Sequence, residues 1–513
     1  MVGEAAPSAE IQPDVGAHHH EVIIVGAGFG GLGVAVELKR IGIADFAILE
    51  KADDLGGTWR DNTYPGLEVD IPSFTYSYHF ELKPDWTQVY APGREIKAYA
   101  DHVADKYGIR KHIRYRTEVK EIEFDDAAGT WTVRATGGET FTCRYFVAAT
   151  GLLVGPKLPD IAGLEDFAGE VVHTSSWNHD YDFNDKNVAI IGTGATAIQV
   201  APAIYDRLAR LDIYQRTPIW LAPKPNIVFS ERTKELFRRV PLLPRAARAT
   251  YWALNELVFA TGINNYKSFS WVMGQIESFL TRYIRREVHD PSIQQKLIPD
   301  YSFFCKRPSF SNTYYKLFNN DNVELVTDAI DHIEHKGLVT HDGVLREVDA
   351  IICATGYRYF ERFSTPCFEI YGKQGKNLGE WWEKNRYQAF LGTTIRDFPN
   401  FFMIVGPYSA AGADYFGVLE NQVAHISRVL RAARKRGAKV VEVKRRHHDR
   451  DFRLVEKRRR RTVLFAGNCA SSNSYYFDER GDTPGGPRPV TPTQHWLKAH
   501  FFSVRRAYDF SPR

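Results

Sequence analysis

Short runs of β-branched and apolar residues recur along this chain. Each closes on a glycine turn and gives way to apolar residues at three- and four-residue spacing, which predicts parallel strands joined by helices. Glu21–Val25 runs into Gly26, Gly28 and Gly31, followed by helical spacing from Leu32 to Ile41 and a second apolar run at Phe46–Leu49. Asn187–Ile191 runs in the same way into Gly192, Gly194 and Ala197, and this unit extends to about residue 215. Between them, residues 110–150 predict a small meander around the turns DDAAGT and TGGE, ending in YFVAATG at a crossing point between domains. From about Lys224 to Asp300 the pattern turns helical and aromatic-rich without glycine turns, as in an insertion. The strand-like VELV and DAIICATGY follow, then FPNFFMIVGP and a helix starting near Tyr415.

The pattern is that of an α/β protein with two Rossmann-like dinucleotide-binding domains. Residues 20–155 and 382–513 form the first, 156–223 and 301–381 the second, and 224–300 a helical insertion in the second. Residues 1–19, rich in Ala, Gly, Pro and acidic residues, read as a disordered tail without the charged start and apolar stretch of a signal peptide. His18, His19 and His20 read as part of that solvated tail.

Composition narrows the classes. At 513 residues and 44% apolar content the chain can bury a large core without disulfide staples. Its five cysteines are scattered and none forms a CxxC pair. This argues against a dithiol centre, a zinc site or a disulfide framework, and for a reducing cytoplasm. No metal site is expected. No run of about 18 apolar residues predicts a membrane span. A formal net charge of +4 is small for this length. The basic run from Lys444 to Arg461 is interrupted by Asp449, Asp451 and Glu456 and lacks stacking aromatics, so it reads as a solvated helix face, not a nucleic-acid or membrane site. Trp252 and Trp271 in the insertion read as core packing of a helical subdomain in preference to a membrane-resting face.

The two glycine turns differ at one informative position. In the first, the glycines permit a tight turn, close approach of a pyrophosphate to the backbone, and close helix–strand packing, with the anion at the helix N-terminus. Glu50 stands 24 residues after Gly26, where a carboxylate accepts from a ribose 2′-hydroxyl. Arg216 stands at the same spacing from Gly192. A carboxylate there would repel a 2′-phosphate, whereas a guanidinium pairs with one. The first site therefore reads as FAD and the second as NADPH.

Between the turns lies FAGEVVHTSSWN, with Phe167, Gly169, His173 and Trp177 at fixed spacing, and the loop GGTWRDNTYPGLEVD precedes it. With these motifs the chain resembles the type I Baeyer–Villiger monooxygenases, relatives of the flavin-containing monooxygenases, over about residues 20–470. Phe167, Gly169, His173 and Trp177 look like that family's fingerprint. Gly57, Trp59, Tyr64, Pro65, Gly66 and Asp70 match its longer loop motif. Related N-oxygenating enzymes carry another residue where Trp177 stands.

The resemblance implies an FAD- and NADPH-dependent monooxygenase that inserts one oxygen atom from O2 beside a ketone carbonyl, through a C4a-peroxyflavin, to give an ester or lactone. The alternative is oxidation of nitrogen or sulfur in a small molecule. Arg307 in CKRP is implied as the catalytic arginine facing the flavin, oriented by Asp70. Lys306 and Arg216, with Thr217 alongside, are implied to hold the 2′-phosphate, while Thr193, Thr196 and Gln199 contact the nicotinamide dinucleotide. Lys51, Gly57, Thr58, Trp59, Tyr76 and Val119 join Glu50 among the implied FAD contacts. His173 would sit in a linker that orients the two domains, instead of acting as an acid or base. The chain departs from many members where it reads Asn473-Ser474-Tyr475-Tyr476, and again after Gly481, so the ketone is not specified. Monomer and dimer are both compatible with the sequence.

Overall fold

The structure is a computed structural model that describes residues 18–412 and 414–512. The expected tail up to residue 17 lies outside the described residues. The first unit is built on strand β1 (His18–Val25), helix α1 (Phe29–Arg40) and β2 (Phe46–Leu49). Next come α2 (Thr58–Asp61), α3 (Gly93–Lys106), β3 (Ile113–Arg114), β4 (Val119–Asp125), β5 (Thr130–Ala135) and β6 (Thr140–Ala148). The chain then crosses to a second unit of β7 (Glu170–His173), β8 (Asn187–Ile191), α4 (Ala195–Ile204) and β9 (Arg210–Tyr214). The insertion begins after β10 (Leu221–Ala222) and holds α5 (Glu231–Arg239), α6 (Leu242–Val258), α7 (Tyr266–Glu287) and α8 (Pro291–Leu297).

The return path adds β11 (Ser309–Phe310), β12 (Val323–Val326), a meander of β13 (Ile330–Glu334), β14 (Gly337–Thr340) and β15 (Leu345–Glu347), and then β16 (Ala350–Cys353). After β17 (Glu369–Tyr371) and α9 (Leu378–Asn385) come β18 (Phe401–Met403) and the long α10 (Tyr415–Arg436). The C-terminal part holds β19 (Val440–Val443), α11 (Arg445–Arg459), α12 (Val463–Ala466), α13 (Pro492–Phe501), α14 (Val504–Ala507) and β20 (Tyr508–Ser511).

Two main sheets result. The first has the order β17-β4-β5-β6-β1-β2-β3, with β18 also pairing β6. The second is β12-β9-β8-β16-β7, parallel throughout, and its central strands β8 and β16 are apolar on both faces, as covered parallel strands are. β18 and α10 return the chain to the first unit: β18 lies parallel to the C-terminal end of β6, and α10 packs on α1. Residues of α6, α7, α10 and α12 line the cleft between the sheets. Among the described residues no helix is long and apolar enough to cross a membrane.

Four expectations need correction. His18–His20 are not tail: they pair with Phe141–Cys143 as the start of β1, and His20 Nδ1 lies 2.9 Å from Asp45 Oδ1. Residues 369–371 were expected in the second domain, but β17 pairs β4 of the first sheet, so the return precedes residue 382. Cys305 and Cys469 form a disulfide, their Cα atoms 5.1 Å apart across a separation of 164 residues. Cysteine spacing does not report such a contact, because only tertiary folding brings the two segments together. Trp252 and Trp271 are exposed, not core. The divergent segment after Gly481 is well anchored. Arg488, fully buried, donates to Asp451 at 2.7 Å and to the Tyr408 carbonyl at 3.1 Å.

Candidate active site

The two glycine turns are built alike, and each depends on the strand that crosses behind it. Gly26 has φ +103° and Gly192 φ +113°. A Cβ on Gly26 would stand 2.5 Å from the Ala149 carbonyl oxygen, and one on Gly192 would stand 2.6 Å from that of Ala354. Both alanines open an Ala-Thr-Gly turn at a strand end, so the same steric demand recurs in both sheets. A Cβ on Gly31 would collide with the Gly26 carbonyl. Gly28 and Gly194 behave differently. No heavy atom other than Gly57 Cα, at 3.8 Å, stands near a Cβ on Gly28, and none lies within 4 Å of one on Gly194. Each turn thus leaves a cradle against a helix N-terminus, the space a pyrophosphate needs.

Both cradles open into one cleft of about 1950 Å³. Lys51, Thr58, Trp59, Tyr76 and Val119 line its first half, and Thr193, Thr196, Arg216, Thr217 and Lys306 its second. Trp59 Nε1 donates to the Tyr76 hydroxyl at 2.8 Å. Glu50 is buried and accepts from the Ala27 and Ala52 N–H groups at 2.7 and 3.1 Å and from Arg60 Nη1 at 3.0 Å. A carboxylate offers roughly four acceptor directions, so one stays available to a ribose hydroxyl.

In the second half, Thr193 Oγ1 donates to the Thr217 carbonyl at 2.9 Å, and Asn473 Nδ2 donates to Thr217 Oγ1 at 2.6 Å. Burial, followed by the Arg216 charge, pushes the Lys306 ammonium down to about 8. Arg216 has no carboxylate within 4.0 Å among the described residues. Two neighbouring cations without a local anion are what a phosphate site looks like before the phosphate is counted. Gln199 lines the cleft, but its amide is engaged elsewhere: it accepts from Tyr64 at 3.0 Å and donates to the Glu68 carbonyl at 2.9 Å. It ties α4 to the loop that carries Asp70.

Arg307 and Asp70 meet where the two halves join. Arg307 Nε donates to Asp70 Oδ2 at 3.1 Å, and Nη2 donates to Oδ1 and Oδ2 at 3.0 and 2.8 Å. This fork fixes the guanidinium plane, and the Asp70 charge holds the proton on Arg307 far above any physiological pH. The arginine lies deep in the protein, yet 45% of its side-chain surface is open because it faces the cleft. Tyr475, Tyr476 and Tyr359 stand around it, with ring centroids 5.0–5.1 Å apart from Tyr475. In the sequence the Tyr475-Tyr476 pair stands out only as a departure from the family pattern. Tyr359, Tyr251 and Cys469 on the same walls carry no local motif and went unpredicted.

The fingerprint residues lie away from Arg307. Phe167 and Trp177 are buried in the second unit, Trp177 stacking on Phe183 with ring centroids 5.2 Å apart. A Cβ on Gly169 would collide with the Asp349 carbonyl. His173 ends β7 and reaches the crossover. Its Nε2–H donates to the Gly356 carbonyl at 3.1 Å, and Nδ1 accepts from the Ser175 N–H at 3.2 Å. Burial lowers its pKa, partly offset by the Gly356 bond, and the two bonds place a proton on Nε2 and leave Nδ1 as the acceptor. The two crossing segments run side by side there: Lys157 N–H donates to the Gly356 carbonyl at 2.9 Å and Arg358 N–H to the Gly155 carbonyl at 2.8 Å. His173 thus braces the double crossing between the two units.

Comparison with known proteins gives a consistent picture. A family model described as pyridine nucleotide-disulphide oxidoreductase matches residues 23–242. A Baeyer-Villiger monooxygenase of Streptomyces coelicolor is 37% identical over 466 residues, covering 90% of this chain and 88% of that protein. One of Pseudomonas aeruginosa is 36% identical over 456 residues, covering 89% and 85%. Among solved structures, an oxidized steroid monooxygenase bound to NADP superposes with a TM-score of 0.83 at 27% identity, covering 96% of this chain and 100% of that one. A closed cyclohexanone monooxygenase superposes at 0.84 and 25% identity, covering 96% and 99%.

Proposed function

The chain belongs to the Baeyer–Villiger monooxygenases, and on that premise we propose how its residues divide the work. It is an FAD- and NADPH-dependent monooxygenase that inserts one oxygen atom from O2 next to a ketone carbonyl, giving an ester or lactone. The unit on β1, α1 and β2 takes FAD, with Gly26, Gly28 and Gly31 around the pyrophosphate and Glu50 on the ribose. The unit on β8, α4 and β9 takes NADPH, with Gly192, Gly194, Thr193 and Thr196 at the pyrophosphate and Arg216, Thr217 and Lys306 at the 2′-phosphate. NADPH supply favours the cytoplasm.

When bound and reduced, the flavin supplies activated oxygen. The protein must then steady negative charge on oxygen while the ketone is attacked. Arg307 is suited to this. It stays charged, its plane is set by bonds from Nε and Nη2 to Asp70, and its open side faces the cleft. Asp70 acts as a positioning residue that holds the fork. The walls beyond Arg307, with Tyr359, Tyr475, Tyr476, Tyr251, Leu254 and Val258, are apolar with a few hydroxyls, which supports a lipophilic ketone.

The observation that carries the reading is the Arg307–Asp70 fork at the junction of two glycine-turn cradles in one cleft. Incubation with NADPH, 18O2 and a panel of ketones tests it. One 18O atom should enter each ester, with one NADPH consumed per product. Ester lacking the label, or NADPH oxidation without any oxygenated product across the panel, would sink it.

A further inference from the structure

Helix α6 of the insertion turns polar residues inward and an apolar stripe outward. On α6 the inward positions include Arg248, Tyr251 and Asn255, and Arg248 Nη1 donates to the Ser77 carbonyl at 2.6 Å. At the same three- and four-residue spacing on the opposite face stand Leu242, Ala246, Ala249, Ala253 and Leu257, all exposed. Leu242 is 70% and Leu257 60% exposed, and the exposed charge that shares that spacing, Arg245, is basic. A helix facing only water has the reverse arrangement. α13 packs beside α6, with the Thr493 N–H donating to Glu256 at 2.9 Å, and it exposes Trp496, Leu497 and Phe501. The start of α7 exposes Trp271.

The end of α11 runs along this surface. Arg458 Nη1 donates to Gln494 of α13 at 3.2 Å, and the Lys267 N–H at the start of α7 donates to the Arg461 carbonyl at 3.3 Å. Arg453, Lys457, Arg460 and Arg461 are exposed, and none has a carboxylate within 4.0 Å among the described residues. An apolar face with aromatic residues and an unneutralised basic flank has the chemistry of a helix lying in a membrane interface. A second copy of the chain fits less well, since a twofold pairing of the same patch would bring its basic flank against itself.

We propose that the face formed by α6, α13 and the start of α7 rests on a lipid bilayer carrying anionic headgroups, with the end of α11 on those headgroups. The same helix that presents Leu242 and Leu257 outward lines the reaction cleft through Tyr251, Leu254, Asn255 and Val258. A ketone dissolved in the bilayer then enters beside α6 without crossing bulk water. That route rests on the function proposed above; the docking does not.

Flotation of the FAD-loaded full chain with vesicles of phosphatidylcholine, with and without phosphatidylglycerol, tests the docking. Binding should require phosphatidylglycerol and fall as salt rises, since each basic residue at an anionic surface contributes roughly fivefold. Arg453→Glu with Lys457→Glu should lower partition by about tenfold or more, and Leu242→Glu with Leu257→Glu should abolish it. Both variants should keep wild-type FAD content and turnover of a water-soluble ketone. Failure of the wild type to float, or unchanged flotation in both variants, overturns the proposal. So does a wild-type dimer in sedimentation that the leucine variant splits, because the patch would then be a self-interface. Flotation of a chain that oxygenates no ketone would refute the functional reading and leave the docking standing.

Discussion

Raising the pH from about 7 to about 9 should weaken NADPH binding about tenfold and leave NADH binding unchanged. The magnitude comes from Lys306. Burial and the neighbouring Arg216 charge bring its ammonium down to about 8, from an ordinary lysine value above 10. One unit below that value roughly nine-tenths of the lysines carry charge, and one unit above roughly one-tenth do. If only the charged form grips the 2′-phosphate, the apparent dissociation constant grows by about tenfold across the window. The phosphate does not blur the effect: with a second pKa of about 6, a phosphate monoester is already about nine-tenths doubly ionised at pH 7. Initial rates at several pH values, with NADPH and NADH as alternative donors, read the effect as a change in KM. Lys306→Met should raise the NADPH KM at pH 7 and flatten the profile. A flat wild-type profile, or a slope that survives in Lys306→Met, would refute the assignment.

Arg307→Ala should retain FAD and NADPH-dependent flavin reduction while oxygenation falls about a hundredfold or more, the usual scale for losing a donor aimed at developing charge; ester formation at near wild-type rate would remove Arg307 from the chemistry. His173→Ala should keep FAD content but raise hydrogen peroxide released per NADPH consumed, because the brace on Gly356 is lost, and loss of FAD instead would contradict the bracing role. Thiol titration of the denatured chain should count three free cysteines before reduction and five after. Cys469→Ser should lower stability by about 2–4 kcal/mol, as expected for a long closed loop. Five free thiols in the air-purified protein would show that the pair is not joined.

What could be read in the chain beforehand was local or tied to a shared steric demand. Gly26 and Gly192 announce themselves because only glycine fits against a crossing carbonyl, and Glu50 and Arg216 because the next strand sets their spacing. Arg307 and Asp70 are 237 residues apart in sequence. Their partnership was legible only through family motifs, since no period or turn rule links a loop near one glycine turn to a segment beyond an insertion. The Cys305–Cys469 bond had not even that guide. Trp252 and Trp271 were misplaced for another reason. Helical periodicity reveals that a helix has two faces, and apolar content is normally assigned to the inside; α6 carries Arg248 and Asn255 inward, where Ser77 and the cleft receive them. The boundary near residue 382 slipped because a three-residue strand such as β17 leaves almost no pattern.

The pairing of β18 with β6 dictates the order in which the two units can be completed during synthesis. β6 ends at Ala148, but the strand that flanks its C-terminal end is Phe401–Met403, and the helix that covers α1 comes later still. The second sheet closes earlier, when β16 reaches Cys353. At roughly 5–20 residues per second, the first-encoded nucleotide unit waits about ten to fifty seconds for its last strand. The unit translated second is therefore finished first. Meanwhile the exposed edge of β6 is open to pairing with another nascent chain. Chains stalled or truncated between residues 353 and 401 would hold a finished second sheet beside a first sheet that still lacks β18.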